Sequence, residues 1–175
     1  FRLLQTKFIN QSLCQKYGQE LKMVYSPIHG TGKVPCIRAL GMLNMSHVAT
    51  VPEQAEPDGN FPTVKSPNPE NPDAMKLAVD LMIKNKADVA FATDPDCDRL
   101  GVALLHDGAT HYLSGNQIGI LMLTYILSNL KEQRRLPLSP YFVKTIVTSP
   151  LQETIAAKFG VQVENTLTGF KWICR

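Results

Sequence analysis

Hydrophobic and polar positions fall into short blocks punctuated by glycine and proline, and the blocks change period along the chain. Residues 1–17 read as a helix closed by Gly18. Residues 21–25 (Leu-Lys-Met-Val-Tyr) read as a strand, followed by a glycine-bearing turn over 26–32 and a helix near 34–40. A second strand over 47–51 leads into a long proline-dense loop, 52–72. Ala74, Leu77, Ala78, Leu81 and Met82 then mark one helix face at the spacing i, i+3, i+4, i+7, i+8. Two apolar runs, 87–93 and 100–105, read as buried strands with a charged loop between them. Asp107-Gly108 predicts a hairpin turn, with 111–113 returning.

Ser114 can cap a helix running to about Leu130. A polar, proline-bounded connection follows (131–140), then a strand (141–147), a helix (151–159) closed by Gly160, a strand (161–164) and a final loop. Strands alternating with helices imply crossovers and a mainly parallel sheet. The expected fold class is therefore α/β. Residues 1–112 should form a three-layer α/β/α domain with a mainly parallel mixed sheet. Residues 113–175 should form a partial second α/β domain of similar architecture, whose sheet stops early. The chain accordingly reads as a piece of a larger protein.

Composition narrows the function classes. A length of 175 residues leaves room for one domain or two small ones, each with a real core. A net charge of +3, with basic residues spread along the chain, gives no basic patch for nucleic acid. No run reaches the roughly 18–20 apolar residues of a membrane span, and no signal peptide precedes the first helix, so the expected location is cytoplasmic. Cys14, Cys36, Cys97 and Cys174 contain no C-x-x-C pair, which argues against zinc and leaves free thiols as the expectation.

The chemistry is concentrated in Asp94-Pro95-Asp96-Cys97-Asp98-Arg99. Alternate residues of an extended segment point the same way, so a tight loop can turn three carboxylates onto one hard cation. Mg²⁺ takes oxygen ligands and shares its shell with substrate phosphates. The arginine that follows offers a planar fork suited to phosphate oxygens. The loop lies between two buried strands, at the kind of sheet edge where α/β proteins place ligands. A solvated acidic turn stays open as a reading, as does a phosphatase with Asp94 or Asp96 as nucleophile. An EF-hand fails, because its sixth and twelfth positions would be Arg99 and Leu105 instead of Gly and Glu.

Three further segments carry possible chemistry. His29-Gly30-Thr31-Gly32, between a strand and a helix, suits anion binding or simply a tight turn with His29 as a polar plug. The proline-dense loop reads as a rigid surface element. Thr166-Leu167-Thr168-Gly169-Phe170-Lys171-Trp172 combines hydroxyls, glycine, a cation and aromatics. Those parts suit a phosphosugar, or a strand-end turn with Phe170 and Trp172 in the core.

Taken together and in this order, these segments resemble the phosphohexomutases, the phosphoglucomutase/phosphomannomutase superfamily. The glycine turn and the segments Val51-Pro52-Glu53-Gln54 and Pro67-Asn68-Pro69-Glu70 look most like its phosphopentomutase-type branch. The resemblance implies four domains around a cleft, of which this chain would hold the second and the start of the third. It implies Mg²⁺ held by Asp94, Asp96 and Asp98, Arg99 as the catalytic contact to the transferring phosphate, and Asp98, Arg99, Thr168, Gly169 and Lys171 toward a sugar phosphate substrate. A phosphoserine and a sugar bisphosphate, activator and intermediate, complete the implied reaction. The family's serine loop, resembling Thr-Ala-Ser-His-Asn-Pro, has no match here, nor has its Gly-Glu-Glu-Ser-like sugar-selecting loop. The partners implied are the sugar phosphate and the missing domains of the same enzyme, with the chain alone inactive. The rival from another class is a noncatalytic α/β binding module that keeps a vestigial metal loop.

Overall fold

A computed structural model describes residues 1–174 of the chain. They form two compact units, residues 1–115 and residues 116–174. The larger unit carries a five-stranded sheet of order β2-β1-β3-β4-β5. Its strands are β1 (Met23–Ser26), β2 (Val48–Thr50), β3 (Val89–Thr93), β4 (Leu100–His106) and β5 (Ala109–Leu113). β1 pairs in parallel with β2 and with β3, whereas β4 and β5 add antiparallel hairpins at the other edge. The sheet is thus mixed, with a parallel half set by the helical crossovers and an antiparallel half set by tight turns. Asp107 and Gly108 both have positive φ, 49° and 74°, as a two-residue hairpin turn of the primed type requires.

The predicted opening helix is two pieces, α1 (Arg2–Gln5) and α2 (Gln11–Tyr17), the second starting after Asn10 as its N-cap. Leu3, Leu4, Leu13 and Tyr17 are exposed, so no buried stripe holds the two pieces in one rod. α3 (Lys33–Met42) follows the glycine turn.

α4 (Pro72–Asn85) illustrates how local chemistry and packing agree. Asn71 caps it, its Oδ1 accepting the Asp73 N–H at 3.0 Å, and Pro72 takes the first helical position, where its missing N–H is harmless. Lys86 ends it in the left-handed conformation, and the Ala87 N–H returns to the Met82 carbonyl. Ala74, Met75, Ala78, Val79 and Met82 are buried, with Leu77 and Leu81 packed beside them. They meet Val24, Ala90, Ala92 and Ala103, small residues that let the helix lie close on the sheet. Each large side chain buried there contributes about 1.5–3 kcal/mol. The other face of the sheet carries Tyr25 stacked on Phe91, ring centroids 4.9 Å apart.

The smaller unit contains α5 (Gly115–Glu132, whose first residue belongs to the larger unit), β6 (Tyr141–Thr145), α6 (Leu151–Lys158), β7 (Gln162–Thr166) and a short α7 (Phe170–Ile173). β6 and β7 pair in parallel. Leu123, Leu127, Ala156 and Val161 form its core, with Phe142, Ile155 and Phe159 against them. Lys144 is buried and pairs with Glu153 at 3.0 Å, which offsets part of the cost of burying an ammonium. Among the described residues, no helix is long and apolar enough to cross a membrane.

Candidate functional site

Asp94–Arg99 is the connection between β3 and β4, with Thr93 and Leu100 facing each other across the hairpin. β1 and β3 run parallel and end level, Ser26 opposite Ala92. The glycine turn and the carboxylate loop therefore both leave the carboxyl ends of parallel strands, where open α/β sheets bind ligands. The two loops are joined. The Thr31 N–H and hydroxyl both donate to the Pro95 carbonyl, at 2.9 and 3.0 Å. Gly30 has no side chain for a packing reason: a Cβ there would lie 2.6 Å from that carbonyl oxygen.

Asp94, Asp96 and Asp98 each offer a carboxylate oxygen within 4.8 Å of the others. Asp94 is buried, and the other two are exposed. Its Oδ1 accepts the Arg99 backbone N–H at 3.0 Å and its Oδ2 accepts Arg99 Nε–H at 2.8 Å. Burial alone would push the Asp94 carboxyl up. The hydrogen bonds from Arg99, and one shared with Asp98, outweigh it and hold the group below the usual carboxylate range. Asp98 moves the opposite way, raised by sharing that hydrogen bond and by repulsion from Asp96. The Asp98 carboxylate also lies 3.8 Å from Arg99 Nε. The donor set is all hard oxygen, crowded and mutually repelling, with one arginine as its internal countercharge. Those residues fit a divalent cation such as Mg²⁺, which relieves that repulsion. Arg99 is half exposed, so it is anchored through Nε while its guanidinium reaches solvent.

A polar network backs the glycine turn. Ser26 Oγ donates to Gln54 Oε1 at 2.6 Å, Gln54 Nε2 donates to Thr63 Oγ1 at 3.0 Å, and His29 Nε2 shares a hydrogen bond with Thr63 Oγ1 at 2.8 Å. His29 is buried, with Ile28 beside it, and both have positive φ. His29 is thus the polar plug of a tight turn. The network itself was hidden in the sequence, because Gln54 and Thr63 lie in a loop that reads as surface. Gln54 is fully buried.

The second predicted segment lies in the smaller unit. Thr168, Gly169 and Lys171 are exposed, after the end of β7 and at the start of α7. Phe170 is 77% exposed, so it is no core residue, whereas Trp172 is partly buried with Lys171 Nζ 5.3 Å from its ring centre. Gly169 has φ 120°, a conformation that side chains rarely adopt.

Two sequence models of one family match successive stretches of the chain. "Phosphoglucomutase/phosphomannomutase, alpha/beta/alpha domain II" covers residues 5–107, and the corresponding domain III covers residues 114–175. A phosphoglucomutase of Staphylococcus saprophyticus is 34% identical over 95% of this chain and 32% of its own length. One from Staphylococcus aureus (strain bovine RF122 / ET3-1) is 38% identical over 89% of this chain and 28% of its own length. The chain therefore spans about a third of the curated relatives it matches. A solved phosphoglucomutase/phosphomannomutase family protein from Burkholderia thailandensis superposes with a TM-score of 0.65 at 21% identity, over 90% of this chain and 33% of the other. An N-acetylphosphoglucosamine mutase of Aspergillus fumigatus, solved with glucose 1,6-bisphosphate, gives 0.51 at 16% identity, over 94% and 32%. These likenesses carry the fold, and the family models carry the descent: the chain belongs to the phosphoglucomutase/phosphomannomutase family.

Proposed function

We propose that this chain is the metal-binding part of a Mg²⁺-dependent phosphosugar mutase, with residues 1–112 as the second domain and 113–175 as part of the third. The observation that carries this is the cluster of three carboxylates within 4.8 Å of one another, beside a half-exposed arginine, at the carboxyl ends of parallel strands. Asp94, Asp96 and Asp98 would hold the cation, which neutralises charge on a transferring phosphoryl group. Asp94, through two hydrogen bonds, fixes the backbone and side chain of Arg99. Arg99 then presents its remaining N–H groups to the phosphate, and its charge stabilises the charge spread over the transferring oxygens. With both Asp94 oxygens accepting from Arg99, Asp94 is better suited to holding than to attacking, which favours the mutase over a phosphatase that uses it as nucleophile. Thr168, Gly169 and Lys171, exposed on their own unit, would face the sugar phosphate. The phosphoserine, the bisphosphate intermediate and the sugar-selecting groups belong to the rest of the enzyme, so the chain by itself should not turn over.

Calorimetric titration of Mg²⁺ into the chain tests the site. Weak binding is expected, and it should vanish in Asp96→Asn and in Asp98→Asn. If both substitutions leave the titration unchanged, the loop does not hold the metal. The full-length enzyme, assayed against glucose, mannose and pentose phosphates, tests the reaction. A full-length protein inactive on all three would favour the noncatalytic module.

A further inference from the structure

The glycine turn is held in a conformation that its own residues resist. Ile28 and His29 stand in succession at φ 44° and 59°, in the left-handed region that glycine adopts freely and other residues adopt at a cost. Burial accounts for Ile28, which packs in the core of the larger unit. Partners account for His29. Its N–H donates to the Gln54 carbonyl at 3.0 Å, its carbonyl accepts the Asp58 N–H at 3.0 Å, and its Nε2 lies 2.8 Å from Thr63 Oγ1. The two residues after it meet the carboxylate loop: Gly30 lies against the backbone of Pro95, and Thr31 donates twice to the Pro95 carbonyl. His29 therefore joins the proline-dense loop on one side to the carboxylate loop on the other.

The protons of this network run one way. The Ile28 N–H donates to Ser26 Oγ at 3.1 Å, and Ser26 Oγ donates to Gln54 Oε1. That second bond, 2.6 Å, is short for N–H···O and ordinary for O–H···O, so the amide oxygen faces the serine and the amide nitrogen faces Thr63. Gln54 Nε2 donates to Thr63 Oγ1, whose own proton is then free to go to His29 Nε2. A neutral ring that accepts at Nε2 carries its proton on Nδ1. We propose that His29 is a positioning residue for the carboxylate loop and works as this Nδ1–H tautomer. The Thr63 hydroxyl fixes the ring, the ring fixes the turn, and the turn holds Pro95 between Asp94 and Asp96. Losing the Thr63 hydroxyl would leave both the Gln54 amide and the ring without a partner. The consequence for Mg²⁺ rests on the reading of Asp94, Asp96 and Asp98 as its ligands; the hold on the loop does not.

Measurements on the whole chain decide it. In long-range proton–nitrogen NMR spectra the His29 ring, identified by its loss in His29→Gln, should show a bare Nε2 and a protonated Nδ1. Amide hydrogen exchange then follows the Thr31 N–H, bonded to Pro95, and the Arg99 N–H, bonded to Asp94. In Thr63→Val both should exchange roughly three- to tenfold faster, the range for one lost hydrogen bond, while the amides of β1 and β3 keep their wild-type rates. Thr63→Ser, which keeps the hydroxyl, should restore both. Mg²⁺ affinity, read by calorimetry, should fall by a similar factor in Thr63→Val. A proton on Nε2 would overturn the proposal. So would wild-type exchange at Thr31 and Arg99 in Thr63→Val, or a rise shared equally by β1 and β3, which would make Thr63 a contributor to overall stability only. Mg²⁺ binding that is lost in Asp96→Asn yet unchanged in Thr63→Val would overturn it too. Exchange as expected, with Mg²⁺ binding indifferent to Asp96→Asn, would keep His29 in its role and take the metal out of the loop.

Discussion

The loop after β3 and the loop after β7 both follow parallel strands and both carry a cation, yet they are built in opposite ways. In the first, Asp94 is buried, Arg99 is held by its backbone and by its side chain, and the Pro95 carbonyl is gripped by Thr31. In the second, Thr168, Gly169, Phe170 and Lys171 lie exposed. A site for a small hard cation needs ligands held before the cation arrives, because mutual repulsion would otherwise disperse them. A segment that meets an organic substrate can order on contact. The contrast makes the first loop sensitive to ångström-scale changes and the second tolerant of them.

The largest expected effect tests that contrast in the full-length enzyme. Arg99→Lys keeps the charge and loses the fork, along with the Nε–H that Asp94 accepts. It should lower kcat by roughly one to three orders of magnitude, the range for losing one transition-state donor. Lys171→Ala should act mainly on KM. Steady-state kinetics on both variants break the comparison if Arg99→Lys retains wild-type kcat, since Arg99 would then be only a surface partner of the aspartates, worth about 1 kcal/mol or less.

The next effect is on stability. Gly30→Ala places a methyl group against the backbone of Pro95, so one of the two joined loops must move. A loss of about 1–3 kcal/mol is expected, together with weaker Mg²⁺ binding. Gly59→Ala meets nothing within 4 Å and should stay within about 0.5 kcal/mol of wild type. Calorimetric melting of both variants checks this, and equal midpoints would mean that the contact at Pro95 carries no load.

How much of this was legible in the sequence differs between the parts. α4 announced itself by period, because one face of it is buried against small strand residues. The three carboxylates were legible because alternation is a local property, and a hairpin loop keeps it. The opening helix was misread as continuous, since apolar spacing says nothing about whether a partner surface exists to bury it. Phe170 was read as a possible core residue for the same reason. β7 runs on to Thr166, two residues past its predicted end, carried by pairing with β6. The contact that joins the two ends of the site, Thr31 to Pro95, spans 64 residues of chain and leaves no periodic trace.

The smaller unit offers a pH test. The Glu153 carboxyl is held below its usual range by its hydrogen bond with Lys144, and further by Asn165. A carboxyl lowered in the folded state stabilises above its unfolded pKa, about 4.3, and that contribution is lost as pH falls through the folded value. Trp172 is the chain's one tryptophan, so its fluorescence follows this unit during melting. The melting midpoint should fall as pH drops from about 5 to about 3, and the fall should be shallower in Glu153→Gln. At neutral pH that variant should melt earlier than wild type, because Lys144 stays buried without its carboxylate. Parallel curves for the two proteins would remove Glu153 from the account.

The smallest effect has the opposite sign. Gly41 lies in the last turn of α3, where an added Cβ meets nothing within 4 Å. Its carbonyl accepts the Asn44 N–H at 3.1 Å, a bond that a side chain at position 41 leaves intact. Unlike Gly30 and Gly32, this glycine makes room for no neighbour. Gly41→Ala therefore costs nothing in the folded state and removes freedom from the unfolded chain, worth about 0.4–1 kcal/mol of added stability. Calorimetry should show the larger unit melting later while the Trp172 transition stays put. An unchanged or lower midpoint would mean that the end of α3 needs glycine for a contact outside this chain, and would place Gly41 with the crowded glycines of the turn before α3 instead of against them.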